Sequence, residues 1–343
     1  MIIKSKKYYH YLWRIRRKLA SNLNKDLFPD FPKSVVIDPS NVCNLGCPLC
    51  PTGMKTLDLD QGMMTIDDYN EYLDKLPFIE KLLLYNWGEP LLNPHLIEMI
   101  EIAKSKGIKQ VELDSNFSVI KSPQYFSKLV DSGIDLIRLS IDGASQKTYE
   151  TYRRKGNFEL AIKNAALLRI IQKKKKKNNP KIIWKFLVNK FNENEIEKAR
   201  RIAKIIDVEL QFDYFQLSED MIDWKEKPNP ELEKEKWLTS KKTYLSPYYR
   251  SENNKTNYPL VKSRCMWLFE NTIINPNGDV LPCCYISSKK NSWGNLKKDN
   301  FESIWYGEKY LYARSMFTKG EAKRVPLVCV KCPIFKHFAK VDA

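Results

Sequence analysis

The stretch that decides the fold is Cys43-Asn44-Leu45-Gly46-Cys47-Pro48-Leu49-Cys50, which directly follows an apolar run at residues 35–37. Three thiolates this close together, with no fourth cysteine nearby, suit a four-iron four-sulfur (4Fe-4S) cluster held through three of its irons. Zinc would need a fourth ligand, for which His10 and His95 are the early histidines available. The spacing therefore predicts an iron-sulfur site with one open iron, and zinc is the alternative.

Around this loop, apolar strand-like runs alternate with helical patterns between residues 34 and 215. The six predicted strands are residues 35–37, 82–85, 109–114, 136–141, 182–188 and 208–214. Between them, Thr65 begins a capping-box pattern, and Gly107 and Gly133 lie where helix C-caps are expected. A repeated βα unit predicts an α/β fold with a parallel sheet, in which ligands bind at the carboxyl ends of the strands.

Composition and charge narrow the class of protein. With 343 residues and 43% hydrophobic residues, the chain is too long for a disulfide-stapled mini-protein, and it has no apolar run approaching the length of a membrane span. The net charge of +17 favours an anionic small molecule, an acidic protein, nucleic acid or lipid as partner. The N-terminal stretch lacks the apolar core of a signal peptide, so clustered cysteines in a reducing cytoplasm are expected to bind metal.

Changes in composition divide the chain into four predicted parts. These are a basic N-terminal helix at 1–33, a barrel at 34–215, a polar linker or lid at 216–262, and a small cysteine-bearing α+β unit at 263–343. The N-terminal helix is expected either to pack on the barrel or to make peripheral contact with anionic lipid or nucleic acid. The linker contains Trp224 and Trp237, which are unusual in a flexible tether and favour a covering role.

The cysteine loop resembles the Cys-x3-Cys-x2-Cys motif of the radical S-adenosylmethionine (radical SAM) superfamily, whose loop follows the first strand of a partial (β/α)6 TIM-like barrel. Trp87-Gly88-Glu89-Pro90 is similar to the family's Gly-Gly-Glu-Pro segment, with tryptophan in place of the first glycine. By this resemblance, Cys43, Cys47 and Cys50 hold the cluster, and Gly88 and Glu89 contact the methionine end of the cofactor.

The segments at the ends of two further strands also resemble motifs of the family. Ser140-Ile141-Asp142-Gly143 looks like the Ser-x-Asp-Gly segment of family members with extra clusters, and Ser115-Asn116 stands where the family has Thr-Asn-Gly. The resemblance implies cofactor contacts for Asn116, for Ser140 and for Arg153 or Arg154. Val188, with Leu187, is expected to flank the adenine.

A second cysteine group lies near the C-terminal end, as Cys265-x17-Cys283 followed by Cys329-x2-Cys332. A hairpin and a returning helix would bring these four together in a fully thiolate-ligated site. The alternative is a zinc ribbon. Cys284 is left unassigned, as a spare buried thiol, an alternative ligand or a hydrogen-atom donor.

The residues between these cysteines resemble the shortened "twitch" form of the SPASM domain. The matching segments are residues 277–284, 294–296 and 303–305. This family places one auxiliary 4Fe-4S cluster on cysteines in the positions of Cys265, Cys283, Cys329 and Cys332. The resemblance therefore implies two 4Fe-4S clusters and S-adenosylmethionine as cofactors.

The activity implied is reductive cleavage of S-adenosylmethionine to a 5'-deoxyadenosyl radical, which abstracts hydrogen from substrate carbon. A flavodoxin or ferredoxin is the electron donor expected by analogy. No catalytic side chain of the protein itself is indicated by the sequence.

An auxiliary cluster with four cysteine ligands has no open iron for substrate, so we expect it to accept or relay an electron. This favours oxidation or epimerisation of a sugar, aminocyclitol or nucleotide-sugar-like substrate. One alternative is post-translational modification of a peptide, as in maturases of ribosomal peptides or sulfatases. Another, from a different class, is a zinc-binding nucleic-acid module.

Overall fold

The computed structural model describes residues 28–214, 223–224, 228–245, 265–319, 327–332 and 335. The predicted N-terminal helix and His10 lie outside these residues, as do residues 246–262 of the predicted linker. Among the described helices, none has the length and apolar character needed to cross a bilayer.

In the part of the chain that the structure describes, nine strands form one sheet. They are β1 (Ser34–Ile37), β2 (Lys81–Leu83), β3 (Gln110–Ser115), β4 (Leu136–Ser140), β5 (Lys181–Val188), β6 (Glu209–Tyr214), β7 (Asn271–Ile274), β8 (Asp279–Leu281) and β9 (Gly294–Asn295). Their order across the sheet is β6-β5-β4-β3-β2-β1-β7-β8-β9. Strands β1 to β6 are parallel to their neighbours, which confirms the predicted α/β fold with six parallel strands. The arrangement is a partial barrel.

Helices fill the crossovers. In the barrel they are α1 (Ile66–Lys75), α2 (Leu96–Ser105), α3 (Pro123–Asp131), α4 (Gln146–Tyr152), α5 (Phe158–Lys174) and α6 (Ile196–Ile206). Beyond the barrel they are α7 (Pro230–Trp237), α8 (Met266–Phe269), α9 (Phe301–Trp305) and α10 (Glu308–Lys319). Short 3-10 helices cover Pro90–Leu92, Lys242–Tyr244, Lys289–Asn291 and Val328–Lys331.

Local signals in the sequence account for the ends of these helices. The Thr65 side chain accepts a hydrogen bond from the backbone N–H of Asp68 at 3.1 Å, as a helix N-cap does. Gly107 and Gly133 have φ values of 83° and 85°, in the left-handed region that glycine enters without steric cost. The predicted cap positions are confirmed.

The C-terminal unit extends the barrel sheet, which the sequence did not indicate. Strand β7 pairs in parallel with β1, with Val36 opposite Ile273, and then turns back through Gly278 into the antiparallel strand β8. The predicted hairpin is confirmed. Because β1 would otherwise be an exposed edge strand, pairing with β7 satisfies its backbone groups.

The two faces of the barrel sheet differ in polarity. On β3, Val111 and Leu113 are fully buried beneath the helices, whereas Glu112 and Asp114 point to the inner face. The alternation follows from the two-residue period of a strand. The inner face of the barrel is therefore polar at positions where a packed core would be apolar.

Candidate functional site

The loop of Cys43, Cys47 and Cys50 leaves the carboxyl end of β1 and is held by backbone hydrogen bonds. The amide of Gly46 donates to the Arg154 carbonyl at 2.9 Å, and the amide of Cys50 donates to the Cys47 carbonyl at 3.3 Å. These bonds fix the loop, so that the positions of the thiols are set by backbone rather than by side-chain packing.

The three thiols form a common donor set. Burial, with smaller effects of the charges of Glu89, Cys47 and Cys50, raises the pKa of Cys43 to about 12. Burial also raises the pKa of Cys47 to about 11, although Arg153 acts in the opposite direction. A raised pKa disfavours the thiolate form, so these neighbouring thiols need positive metal ions nearby to become thiolates.

The three thiols are the donor set of a cluster that leaves one iron open. A 4Fe-4S cluster carries each thiolate on a different iron, so three cysteines hold three of its irons. A structural zinc ion ordinarily takes four ligands. The donor set of the loop therefore suits a 4Fe-4S cluster with one open iron.

The segment after β2 packs directly against the start of the cysteine loop. A Cβ atom on Gly88 would lie 1.6 Å from the carbonyl oxygen of Ser40, so a side chain is excluded at this position. The next amide, of Glu89, donates to the Val42 carbonyl at 2.9 Å. Glycine is required at position 88 by this close approach of two backbones.

Glu89 and Asn116 connect the ends of β2 and β3 to the loop. The buried Glu89 carboxylate accepts hydrogen bonds from the Ser115 hydroxyl at 2.6 Å and from the backbone N–H of Asn116 at 2.8 Å. Burial raises the pKa of Glu89 above its ordinary value. The side-chain amide of Asn116 donates to the Asn44 side chain at 2.9 Å and lies 3.9 Å from the Cys43 sulfur.

Arg153 lies between the loop and the end of β4. Its Nε donates to Asp142 Oδ2 at 2.5 Å, and its Nη1 lies 3.9 Å from the Cys47 sulfur. Asp142 in turn accepts from the amide of Leu187 at 2.8 Å. Ser140, at the end of β4, lies on the inner face of the sheet. The predicted residue Arg153 is thus close to the cysteine loop.

The structure places Val188, which is expected to flank the adenine, among the core residues of the barrel. Val188 is fully buried in the main core, on the opposite face of β5 from Lys185. Its neighbour Leu187 instead packs against a second apolar cluster that contains Leu49 of the cysteine loop. Successive strand residues face opposite sides of a sheet, so Leu187 is the residue of this pair that points inward.

The four C-terminal cysteines meet in one apolar pocket. Cys265, Cys283, Cys329 and Cys332 all line it, and the charges of the other three raise the pKa of Cys283. Cys284 does not line this pocket, although its charge raises the pKa of the adjacent Cys283 as well as that of Tyr85, which follows β2. The cysteines that line the pocket are therefore the four predicted ones, with Cys284 beside them.

Two contacts of the C-terminal unit, one with the barrel and one with the predicted linker, were not found from the sequence. The Trp87 indole N–H donates to the Ile286 carbonyl at 2.7 Å, which gives a role to the residue that replaces the family's glycine. The buried carboxylate of Asp223 accepts from the backbone amides of Ser287 and Ser288 at 3.0 and 3.1 Å. Both partners are distant in sequence, so no local pattern signals these contacts.

Comparison with family models places two domains on the chain. The Radical SAM superfamily model matches residues 37–201, and the iron-sulfur cluster-binding domain SPASM matches residues 265–333. The first match contains the three-cysteine loop, and the second contains all four cysteines of the C-terminal pocket.

Curated relatives cover the chain to different extents. An AdoMet-dependent heme synthase of Methanosarcina barkeri is 25% identical over 303 residues, which are 80% of this chain and 82% of that protein. A 7,8-dihydro-6-hydroxymethylpterin dimethyltransferase of Methanocaldococcus jannaschii is 28% identical over 174 residues, which are 49% of this chain and 32% of that protein.

Solved structures share the fold at low sequence identity. SuiB of Streptococcus suis has a TM-score of 0.62 at 16% identity, covering 98% of this chain and 78% of that one. For anSMEcpe with bound AdoMet and Cp18Cys peptide, the TM-score is 0.56 at 20% identity, with coverage of 90% and 88%. For BtrN in complex with AdoMet and 2-DOIA it is 0.50 at 14% identity, with coverage of 85% and 89%.

The chain belongs to the radical SAM superfamily with a C-terminal SPASM domain, and it is an enzyme whose cofactors are a SAM-binding 4Fe-4S cluster, an auxiliary iron-sulfur cluster and S-adenosylmethionine.

Proposed function

We propose that this enzyme oxidises a hydroxyl-bearing carbon of a sugar, aminocyclitol or similar small molecule. The observation that carries the proposal is the convergence of Cys265, Cys283, Cys329 and Cys332 on one pocket. Four thiolates occupy every iron of a 4Fe-4S cluster, so no iron remains for substrate. When bound, the cofactors supply a hydrogen-abstracting 5'-deoxyadenosyl radical at the three-cysteine site and a one-electron acceptor at the four-cysteine site.

Oxidation of an alcohol removes one hydrogen atom, one electron and one proton, and forms a carbonyl. The polar inner face of the barrel supports this chemistry because it offers carboxylates that accept a proton. Asp114 is one of them, with 15% of its side chain exposed.

Residues of the predicted linker support a covering role. Trp224 and Trp237 are buried in one apolar cluster with Leu49 and Tyr152, beside the cysteine loop. Asp223 joins the same segment to the C-terminal unit through the amides of Ser287 and Ser288. We propose that residues 216–262 cover the mouth of the barrel and exclude water from the radical.

A second candidate is the reaction class named for the M. barkeri relative, AdoMet-dependent heme synthase. The support is 25% identity over 80% of this chain. Haem precursors carry several carboxylates and would need unpaired cations inside the barrel. The inner cations Arg138 and Lys185 are already paired with carboxylates, which favours the first candidate.

The proposed electron donor is an acidic flavodoxin or ferredoxin. Lys55, Arg154 and Lys155 are exposed around the outside of the cysteine loop, and a Cβ on Gly46 would lie 3.7 Å from Arg154 and 3.9 Å from Lys155. Basic residues around the cluster site attract an acidic electron donor, which then binds where electrons have a short path to the cluster. Such a donor and reduced cysteines accord with a cytoplasmic location.

The test is turnover of the anaerobic, iron-loaded enzyme on a panel of sugars, aminocyclitols, nucleotide sugars, haem-precursor porphyrins and peptides. We expect a product two mass units lighter that forms a hydrazone, and deuterium transfer from the substrate carbon into 5'-deoxyadenosine. A product one mass unit heavier than the substrate, with solvent deuterium at the reacting carbon, would indicate epimerisation instead. Turnover seen only on a peptide or a porphyrin would overturn the proposal.

A further inference from the structure

The inner face of β2 to β4 carries polar side chains in register at one level of the barrel. Tyr85 follows β2, and the strand pairing continues the row through Asp114 on β3 to Arg138 on β4. The other face of the same strands is apolar, with Leu113 and Leu139 fully buried. Buried parallel strands are ordinarily apolar on both faces, and polar burial is costly, so this row is expected to have a function.

Two carboxylates hold the guanidinium of Arg138 in place. Its guanidinium contacts Glu112 at 2.6 Å and Asp114 at 2.9 Å. Glu112 is 1% exposed and is also paired with Lys81 at 2.5 Å. Because two carboxylates fix the planar fork, the arginine is preorganised and loses little conformational entropy when a ligand binds.

Other polar groups of the row remain available to a ligand. Asp114 Oδ2 and the Tyr85 hydroxyl have no hydrogen-bond partner among the described residues, and burial raises the pKa of Tyr85, so that it stays a neutral donor. Lys185 is paired with Asp213 at 3.0 Å and retains further N–H groups. The side chains of Asp114, Arg138 and Lys185 are 15%, 21% and 33% exposed, so they are within reach of a ligand.

The charges along this inner face balance. The cations are Lys81, Arg138 and Lys185, and the anions are Glu112, Asp114 and Asp213. A phosphate needs cations that are not already neutralised by carboxylates, and among the described residues of this face none is surplus. The net charge of +17 of the whole chain therefore does not arise from this inner face.

Resting on the proposed function, we propose that Tyr85, Asp114 and Arg138 bind the hydroxyl groups of a polyhydroxylated ring that carries no phosphate, such as a sugar or cyclitol. Alternating donors and acceptors on a rigid frame match the alternating hydroxyl groups of such a ring. The Tyr85 ring offers an apolar face for its C–H groups. Ser140 lies on the same face, two residues further towards the cysteine loop, so the ring would lie beneath the cofactor.

The test is binding, measured by calorimetry and saturation-transfer NMR on the iron-loaded enzyme with S-adenosylmethionine under anaerobic conditions. The probes are myo-inositol, scyllo-inositol and glucose, each against its phosphate ester. We expect a neutral ring to bind more tightly than its ester, and Asp114→Asn and Arg138→Gln each to weaken binding about tenfold or more.

The matched control is Arg169→Gln, which breaks an arginine–aspartate pair of 2.7 Å with Asp207 on the outer helices and should leave binding unchanged. Arg138→Lys keeps the positive charge near Glu112, so it distinguishes a loss of ligand binding from a failure to fold. Iron content and circular dichroism are measured on every variant. Tighter binding of the phosphate esters, absence of binding by every neutral ring, or full binding by Asp114→Asn would overturn the proposal.

Wild-type cleavage of S-adenosylmethionine with dithionite tests the proposed function separately. If 5'-deoxyadenosine forms but no neutral ring binds, the substrate class is wrong while the radical chemistry stands. If no 5'-deoxyadenosine forms, the proposed function itself fails.

Discussion

Gly88→Ala tests how closely the segment after β2 must approach the cysteine loop. The added Cβ would lie 1.6 Å from the Ser40 carbonyl oxygen and 2.7 Å from Asn41 Cα. Real Cβ atoms essentially never approach closer than 3.0 Å, so backbone must move by about 1.4 Å. Because Ser40 and Asn41 lead directly into Cys43, the movement displaces the first cluster ligand.

A misplacement of about 1 Å near reacting groups costs roughly a hundredfold in rate. We therefore expect Gly88→Ala to lower dithionite-driven 5'-deoxyadenosine formation at least about a hundredfold. Gly62→Ala is the matched control, because nothing lies within 4 Å of its added methyl group. Iron content and secondary structure are measured on both variants. A Gly88→Ala enzyme with wild-type iron content and rate would refute the packing described here.

Three further predictions concern other parts of the molecule. Cys283→Ala should lose about four irons of an expected eight, whereas Cys284→Ala should keep them all, as measured by iron and sulfide analysis; equal losses would contradict the separation of Cys284 from the pocket. Burial raises the pKa of Asp38 to about 7, so its protonated form is favoured on folding, and stability should fall as pH rises from about 4 to about 7 by at most about 4 kcal/mol. Asp38→Asn should flatten that dependence in melting temperatures, and an unchanged slope would count against it. Lys155→Glu should slow flavodoxin-driven cleavage of S-adenosylmethionine but not dithionite-driven cleavage, with the exposed Lys163→Glu on α5 as control; equal effects of the two variants would reject the docking face.

The barrel could be predicted from the sequence because its strands are short apolar runs between clear helix signals. Thr65, Gly107 and Gly133 act through local backbone chemistry, and the structure confirms all three. The three-cysteine loop could likewise be predicted from the sequence, because its cysteines lie within a few residues of one another.

Features that depend on distant pairing could not be predicted. The pairing of β7 with β1 joins residues far apart in sequence, and the bond from Trp87 to Ile286 does the same. The sequence could not distinguish Leu187 from Val188 as the inward residue, because the inward side of β5 is known only once its neighbours are placed. The polar row had a signal in the sequence, since Asp114 and Arg138 alternate with apolar residues in their strands.

The central claim is that Cys43, Cys47 and Cys50 hold a cluster with an open iron beside a fully cysteine-ligated second cluster. The most direct measurement is electron paramagnetic resonance of the reduced, anaerobically iron-loaded protein before and after addition of S-adenosylmethionine. The account predicts two overlapping 4Fe-4S signals, of which one shifts with S-adenosylmethionine and is absent in Cys47→Ala. A spectrum that S-adenosylmethionine leaves unchanged, or a protein that takes up zinc and no iron, would contradict it.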